Sequence, residues 1–138
     1  MKVFAPGKLV LTGAYAVLGG APAIVMATDR GACADGARKS ESPTLEVRAA
    51  LGDAAGEAPH VDASSLFLDS RKLGLGASAA IVVASLATRE AQRGRDLTED
   101  RVRATLFDRA RAAHAAAQSG GSGVDVAASV YGGVLEYS

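Results

Sequence analysis

Two glycine-rich segments stand directly in front of apolar runs: Gly74-Leu75-Gly76-Ala77-Ser78 and Ser119-Gly120-Gly121-Ser122-Gly123. Glycine lets a backbone approach an anion closely, and the free N–H groups at a helix start point toward it. Ser78 falls where the first apolar run begins. Its hydroxyl could cap a helix, touch a phosphate or ligate Mg²⁺. Asp125 follows the second loop, just inside a helix start. A carboxylate there could act as a general base, or could simply be stabilised by the helix dipole. Lys8 follows Ala5-Pro6-Gly7 at the head of a β-type run, as a phosphate-neutralising charge or an exposed edge-strand cation. The first loop is not a P-loop, because GxxxxGK[ST] is absent. It also lacks the third glycine and the distant acid of a dinucleotide-binding turn.

The elements that must hold these residues follow from the hydrophobic pattern. Residues 2–5 and 8–12 read as short strands split by a Pro6-Gly7 turn. Residues 23–27 form a continuous apolar run of strand length, bounded by Asp29-Arg30. Residues 44–49 alternate faces and predict a half-exposed strand. Residues 51–60 are rich in Gly, Asp, Ala and Pro and predict a loop, with an extended stretch over 61–68. From Ser78 the pattern turns helical, and residues 79–86 are apolar on every side, so that helix should be buried. A second helix is expected from Thr98 as N-cap, with Glu99 and Asp100 in its first turn. Its buried stripe is Val102, Leu106, Ala110 and Ala113, with His114 on or beside it. Residues 125–130 predict a short helix and 134–137 a strand.

Composition narrows the class. The chain has 138 residues, 49% of them hydrophobic, which suits one domain with an aliphatic core. It carries 15 basic and 15 acidic residues, so it lacks the clustered basic face that nucleic acid requires. Cys33 is the one cysteine, and it reads as a packed small residue in a reducing compartment. The start of the sequence does not read as a signal peptide. The apolar stretches fall far short of the ~20 residues that span a bilayer. A cytoplasmic protein that takes a small-molecule substrate, with no nucleic acid and no membrane, is the expectation.

Three segments together carry a resemblance. Ala5-Pro6-Gly7-Lys8, the run GLGASAA over 74–80, and Ser122-Gly123-Val124-Asp125 resemble, in order, the APGK, GLGSSAA and SGxD motifs of GHMP kinases. The flanks are most similar to phosphomevalonate kinases: GAYAVL over 13–18, PAIV over 22–25 before Asp29-Arg30, Lys72, and Ala113-His114 with Gln118. Mevalonate kinases typically have GEHAVVYG in the first segment and a magnesium-binding Glu where His114 falls.

The resemblance implies an α/β fold of the α+β kind, a ribosomal protein S5 domain 2-like mixed sheet packed with helices. It implies one N-terminal ATP-binding domain over residues 1–138, with the second GHMP domain absent from this chain. It implies transfer of the ATP γ-phosphate to mevalonate 5-phosphate, with ATP and Mg²⁺. Asp125 matches the catalytic carboxylate and Lys8 the motif lysine. Gly74, Leu75, Gly76, Ala77, Ser78 and Ala79 would wrap the ATP phosphates, with Ser78 also matching a Mg²⁺ ligand. Ser119, Gly120, Ser122, Gly123 and His114 would face the acceptor. Mevalonate kinase, another GHMP kinase, or a non-catalytic nucleotide- or partner-binding remnant are the alternatives.

Departures from the pattern bear on activity. Ala77 stands where the family usually has its first serine, Gly13-Ala14 lacks an acid, and the stretch between the first two motifs is compact. The matched part is about half of a typical family member. A homodimer, or a partner supplying the second domain, is therefore expected.

Overall fold

The computed structural model describes residues 1–13, 19, 21–118 and 123–137. Its spine is a long strand, β2 (Ala23–Lys39). Strand β1 (Lys2–Thr12) pairs along one edge of β2, from Lys2 opposite Asp35 to Thr12 opposite Ile24. The other edge is shared. Strand β3 (Pro59–Asp62) pairs with the end of β2, and β6 (Val134–Tyr137) with its beginning. Every pairing among the described strands is antiparallel, so the sheet expected to be mixed carries one pairing type. Two two-residue strands, β4 (Phe67–Leu68) and β5 (Arg71–Lys72), form a separate hairpin.

The expected break at Pro6-Gly7 is a bulge inside one continuous strand. The register slips between Pro6 and Lys8. Proline brings no N–H to a ladder, and a bulge is where a strand tolerates that. The strand over 23–27 likewise runs on to Lys39, through the polar and small residues 28–39. Pairing on both edges holds a segment of weak intrinsic strand preference.

The segment 44–49 is not a strand but the start of helix α1 (Leu45–Leu51). The Thr44 hydroxyl accepts a hydrogen bond from the Val47 N–H at 3.3 Å, a side-chain N-cap. Val47 and Leu51 are buried four residues apart, so the short alternation concealed a helical stripe. Residues 51–60, expected as loop, hold a 3₁₀ turn at Gly52–Glu57 and the start of β3. Residues 61–68 are extended only at their ends, around a 3₁₀ turn at Ser64–Leu66.

Helix α2 (Ala77–Gln92) is buried over most of its circumference, as its apolar run predicts. It lies on β1 and β2 beside α4 (Val124–Tyr131). Helix α3 (Asp100–Gln118) packs on α1, α2 and α4 and buries Leu106, Ala110, Ala113 and His114. Thr98 is not its N-cap. The Thr98 hydroxyl donates instead to Asp96 Oδ1 at 2.7 Å, in a turn ahead of the helix. Glu90, near the end of α2 and 2% exposed, ties the helices together. Its carboxylate pairs with Arg109 of α3 at 3.4 Å, with Arg93 at 3.5 Å, and with Arg95.

Alanine does much of the packing. Ala79, Ala80 and Ala84 on α2, Ala110 on α3 and Ala128 on α4 are fully buried, as are Ala32 and Ala34 on β2. Small side chains bring backbones close, and this closeness positions the glycine loop. At Gly7 a Cβ would lie 2.5 Å from the Leu75 carbonyl oxygen and 2.9 Å from Leu66 Cδ2. Gly7→Ala should therefore push the loop off β1 and cost about 1–3 kcal/mol, the usual range for overpacking. Urea unfolding would read this as a lower midpoint. An unchanged midpoint would mean that the loop does not rest on β1.

Candidate active site

The bulge in β1 is the first positioning device. Just past it, the Lys8 N–H donates to the Leu75 carbonyl at 2.8 Å, which fastens the glycine loop to the strand. The Lys8 side chain then runs beneath that loop. Its Nζ lies 3.5 Å from the Gly74 carbonyl oxygen. A side chain at Gly76 would press on the lysine, with its Cβ 3.0 Å from Lys8 Cγ, and would be strained by the backbone φ of 76°.

Helix α4 brings the carboxylate. Asp125 sits in its first turn, and Asp125 Oδ1 is 3.5 Å from Lys8 Nζ. The two residues are 117 positions apart in sequence, and both side chains are partly exposed. Two contacts hold α4 in place. The Ser129 hydroxyl donates to the Pro6 carbonyl at 2.8 Å, so the carboxylate helix grips the bulge that orients the lysine. Near the same end, Phe107 of α3 lies 6.2 Å from Tyr131, and it also lies 6.3 Å from Tyr137 of β6, centroid to centroid. Gly123 fits beneath Tyr137 and Arg111, where a Cβ would be 2.7 Å from Tyr137 Oη.

Both helices start on a glycine in the left-handed region, Gly76 at φ 76° and Gly123 at φ 85°, with no side-chain cap. Glycine adopts that conformation at little cost. The first hydrogen bond of α2 runs from the Ala80 N–H to the Gly76 carbonyl at 3.0 Å. The N–H groups of Ala77, Ser78 and Ala79 precede that bond, and at a helix start they serve as anion donors.

These parts enclose a hollow of about 220 Å³, lined by Lys8, Leu66, Lys72, Gly74, Leu75, Gly76, Ala77, Ser78, Gln118 and Asp125. Leu66 is held there by a latch to β2. The Ser65 hydroxyl accepts from the Gly31 N–H at 3.2 Å and donates to the Gly31 carbonyl at 2.9 Å. A larger hollow of about 420 Å³ lies between β3, α1 and α2, lined by Arg38, Thr44, His60 and Ile81 among others. It contains neither the lysine–carboxylate pair nor a glycine-led helix start, so the smaller hollow is the better candidate.

Of the residues singled out in the sequence, Lys8, Asp125, Gly74, Leu75, Gly76, Ala77 and Ser78 come together in this hollow. Ala79 is fully buried and offers only its N–H. Gly123 stands at the head of α4, outside the lining. Ser119, Gly120 and Ser122 lie outside the described residues, as do residues 14–18 of the first flank. His114 is placed behind the loop, with its Nε2 3.1 Å from the Ser78 hydroxyl and no share in the lining.

Leu66, Lys72 and Gln118 join the lining without having been singled out for it, and Glu46 stands behind it through Gln118. The Gln118 amide, one helical turn beyond His114, donates to the Ser78 hydroxyl at 3.0 Å and to Glu46 Oε1 at 3.3 Å. Burial works against ionisation of Glu46. Hydrogen bonds from its own N–H, Gln118 and Thr44, and the nearby His114, outweigh it and lower its pKa from the ordinary 4.5. Glu46 therefore stabilises the fold fully above about pH 4.5, and that contribution fades as pH falls through its lower folded value. Glu46→Gln should flatten the acid side of the stability profile, read by urea unfolding from about pH 6 to about pH 3.

A family model described as GHMP kinases N terminal domain matches residues 46–133. The chain is similar to the mevalonate kinase of Archaeoglobus fulgidus, at 28% identity over 96% of this chain and 51% of that protein. Among solved structures it resembles the Lin0012 protein from Listeria innocua, with a TM-score of 0.77 at 24% identity, over 99% of this chain and 48% of that one. The Methanococcus jannaschii mevalonate kinase gives a TM-score of 0.70 at 19% identity, over 99% and 52%. At these identities the solved structures speak for the fold. The chain spans about half the length of the relatives it matches. With a family model covering well over half of its residues, on the α+β frame that carries both glycine-led helices, this chain belongs to the GHMP kinase family.

Proposed function

We infer that this chain is the nucleotide-binding half of an ATP-dependent small-molecule kinase of the mevalonate type. The observation that carries this reading is the 3.5 Å approach of Lys8 to Asp125 beneath an uncapped, glycine-led helix start. The ATP phosphates lie over residues 74–79, where backbone N–H groups meet their charge. Asp125 holds the acceptor oxygen. That oxygen, already ionised on a phosphate acceptor or giving its proton to Asp125 on a hydroxyl acceptor, bonds to the γ-phosphorus as the bond from phosphorus to the bridging oxygen breaks and ADP leaves. Lys8 offsets the charge shared between the carboxylate and the moving phosphoryl group. Such transfer depends chiefly on positioning and charge stabilisation, which these residues supply.

Mg²⁺ keeps several waters and takes one or two protein ligands. Among the described residues no group of three His, Cys, Asp or Glu could hold a metal. The ion would arrive with the nucleotide and meet the Ser78 hydroxyl, and its chemistry would be to neutralise phosphate charge. Ala77 adds no second hydroxyl.

The acceptor we favour is mevalonate 5-phosphate, because the flanking residues resemble phosphomevalonate kinases. Lys72 beside Lys8 in the hollow also suits an anionic load. Mevalonate itself is the second reading, supported by the name of the Archaeoglobus relative. In either case the remaining wall of the cleft comes from a further segment, a partner chain or a second copy. A cleft closed on one side only admits water and lacks part of its phosphate clamp.

Calorimetric titration with Mg-ATP should show binding that Ser78→Ala weakens. Phosphorylation of the two acceptors, assayed side by side, should fall about 100- to 10,000-fold with Asp125→Asn or Lys8→Met. Absence of Mg-ATP binding at millimolar nucleotide would overturn the reading for this chain.

A further inference from the structure

A serine hydroxyl has one proton and two lone pairs, so it can serve three partners at most. Ser78 Oγ already has two within the protein. Gln118 Nε2 lies 3.0 Å away and His114 Nε2 lies 3.1 Å away. Gln118 Nε2 is a donor only, so it occupies one lone pair. His114 takes either the other lone pair or the proton, according to its tautomer. One bonding direction is left, and Ser78 is among the residues that line the hollow beside Lys8 and Asp125.

What keeps Gln118 in that orientation is Glu46. The two ends of a glutamine amide have nearly the same shape and opposite hydrogen-bonding character. Gln118 Nε2 stands 3.3 Å from Glu46 Oε1, so its two protons serve the carboxylate and the serine. Turned over, the amide would set a carbonyl oxygen against the carboxylate, lose that bond, and require the Ser78 hydroxyl to donate its proton instead of accepting one. Glu46 is itself fixed in the first turn of α1, which is capped by Thr44. Three helices therefore converge on one hydroxyl: α1 through Glu46, α3 through Gln118 and His114, and α2 through Ser78.

We propose that Glu46 and Gln118 are positioning residues which fix the Ser78 hydroxyl, so that it presents a single bonding direction to whatever occupies the hollow. As applied to nucleotide, this rests on the kinase reading above. Glu46 touches no ligand in this scheme and acts through Gln118. Loss of its charge frees the amide to turn, and Ser78 then rotates among several partners.

Two measurements test this. The first uses the free protein and does not depend on nucleotide. In proton–nitrogen NMR spectra, the Gln118 side-chain NH₂ should show nuclear Overhauser contacts to the Ser78 β-protons, and Glu46→Gln should abolish them while the fold persists. No such contact in the unmodified protein, or survival of the contact in the variant, would overturn the proposal. The second is a double-mutant cycle read by Mg-ATP calorimetry. Glu46→Gln should weaken binding about fivefold to twentyfold in the parent, and less than about twofold in a Ser78→Ala background. A carboxylate that merely stabilises the fold would give the same factor in both backgrounds, and that result also overturns the proposal. Should the parent fail to bind Mg-ATP, the kinase reading falls, and the NMR result alone decides the positioning role.

Discussion

A backbone hydrogen bond fastens the glycine loop of the candidate site to the strand that carries its lysine. The Lys8 N–H reaches the Leu75 carbonyl at 2.8 Å, and it can do so because Gly7 beside it has no side chain. Proline at position 6 contributes to the same arrangement. It brings no N–H to the ladder, the strand bulges, and the register slips by the amount that turns Lys8 under the glycine loop. The Pro6 carbonyl is occupied as well, by the Ser129 hydroxyl of α4. One short stretch of β1 thus places the lysine, the glycine loop and the carboxylate helix relative to one another.

The composition of the core serves that geometry. Helix α2 must lie close to the sheet so that its uncapped start reaches the strand, and close approach requires small side chains. Alanine meets the need, with good helix propensity and little bulk. The few large or polar groups sit where a connection has to be fixed. Glu90 gathers three arginines between α2 and α3, and Phe107 lies against the tyrosines at the two ends of the 131–137 segment. Arg111, 5.9 Å from the centre of the Phe107 ring, extends that cluster to the glycine ahead of Asp125.

The outer face of the sheet differs from the inner one. Val10 and Val25 pair across β1 and β2 and face α4, in one cluster with Val124 and Ala128. The residues between them point the other way, and Leu9, Ile24 and Val134 remain exposed. Alternation along each strand produces this division. It leaves the helix-covered side as the one that carries the lysine, the aspartate and the glycine loop.

The sequence alone determined the candidate residues of the site and the helices on which they stand. Glycine ahead of an apolar run, a serine at its start, an aspartate after the second loop and a lysine after Pro-Gly are local signals. The all-round apolar character of α2 and the Leu106–Ala110–Ala113 stripe of α3 are also local, because burial imprints a period on the chain. The order of the three segments gave the family. Tertiary structure decided the rest. Whether residues 44–49 form a strand or a helix turned on a Thr44 cap and on what covers Val47 and Leu51. Six residues of alternation contain neither fact. The continuity of β1 and the length of β2 depend on partners far away in sequence. The link from Glu46 through Gln118 to Ser78 joins three helices whose residues are up to 72 positions apart. No window along the chain can register such a meeting, since packing alone brings those side chains within hydrogen-bonding distance.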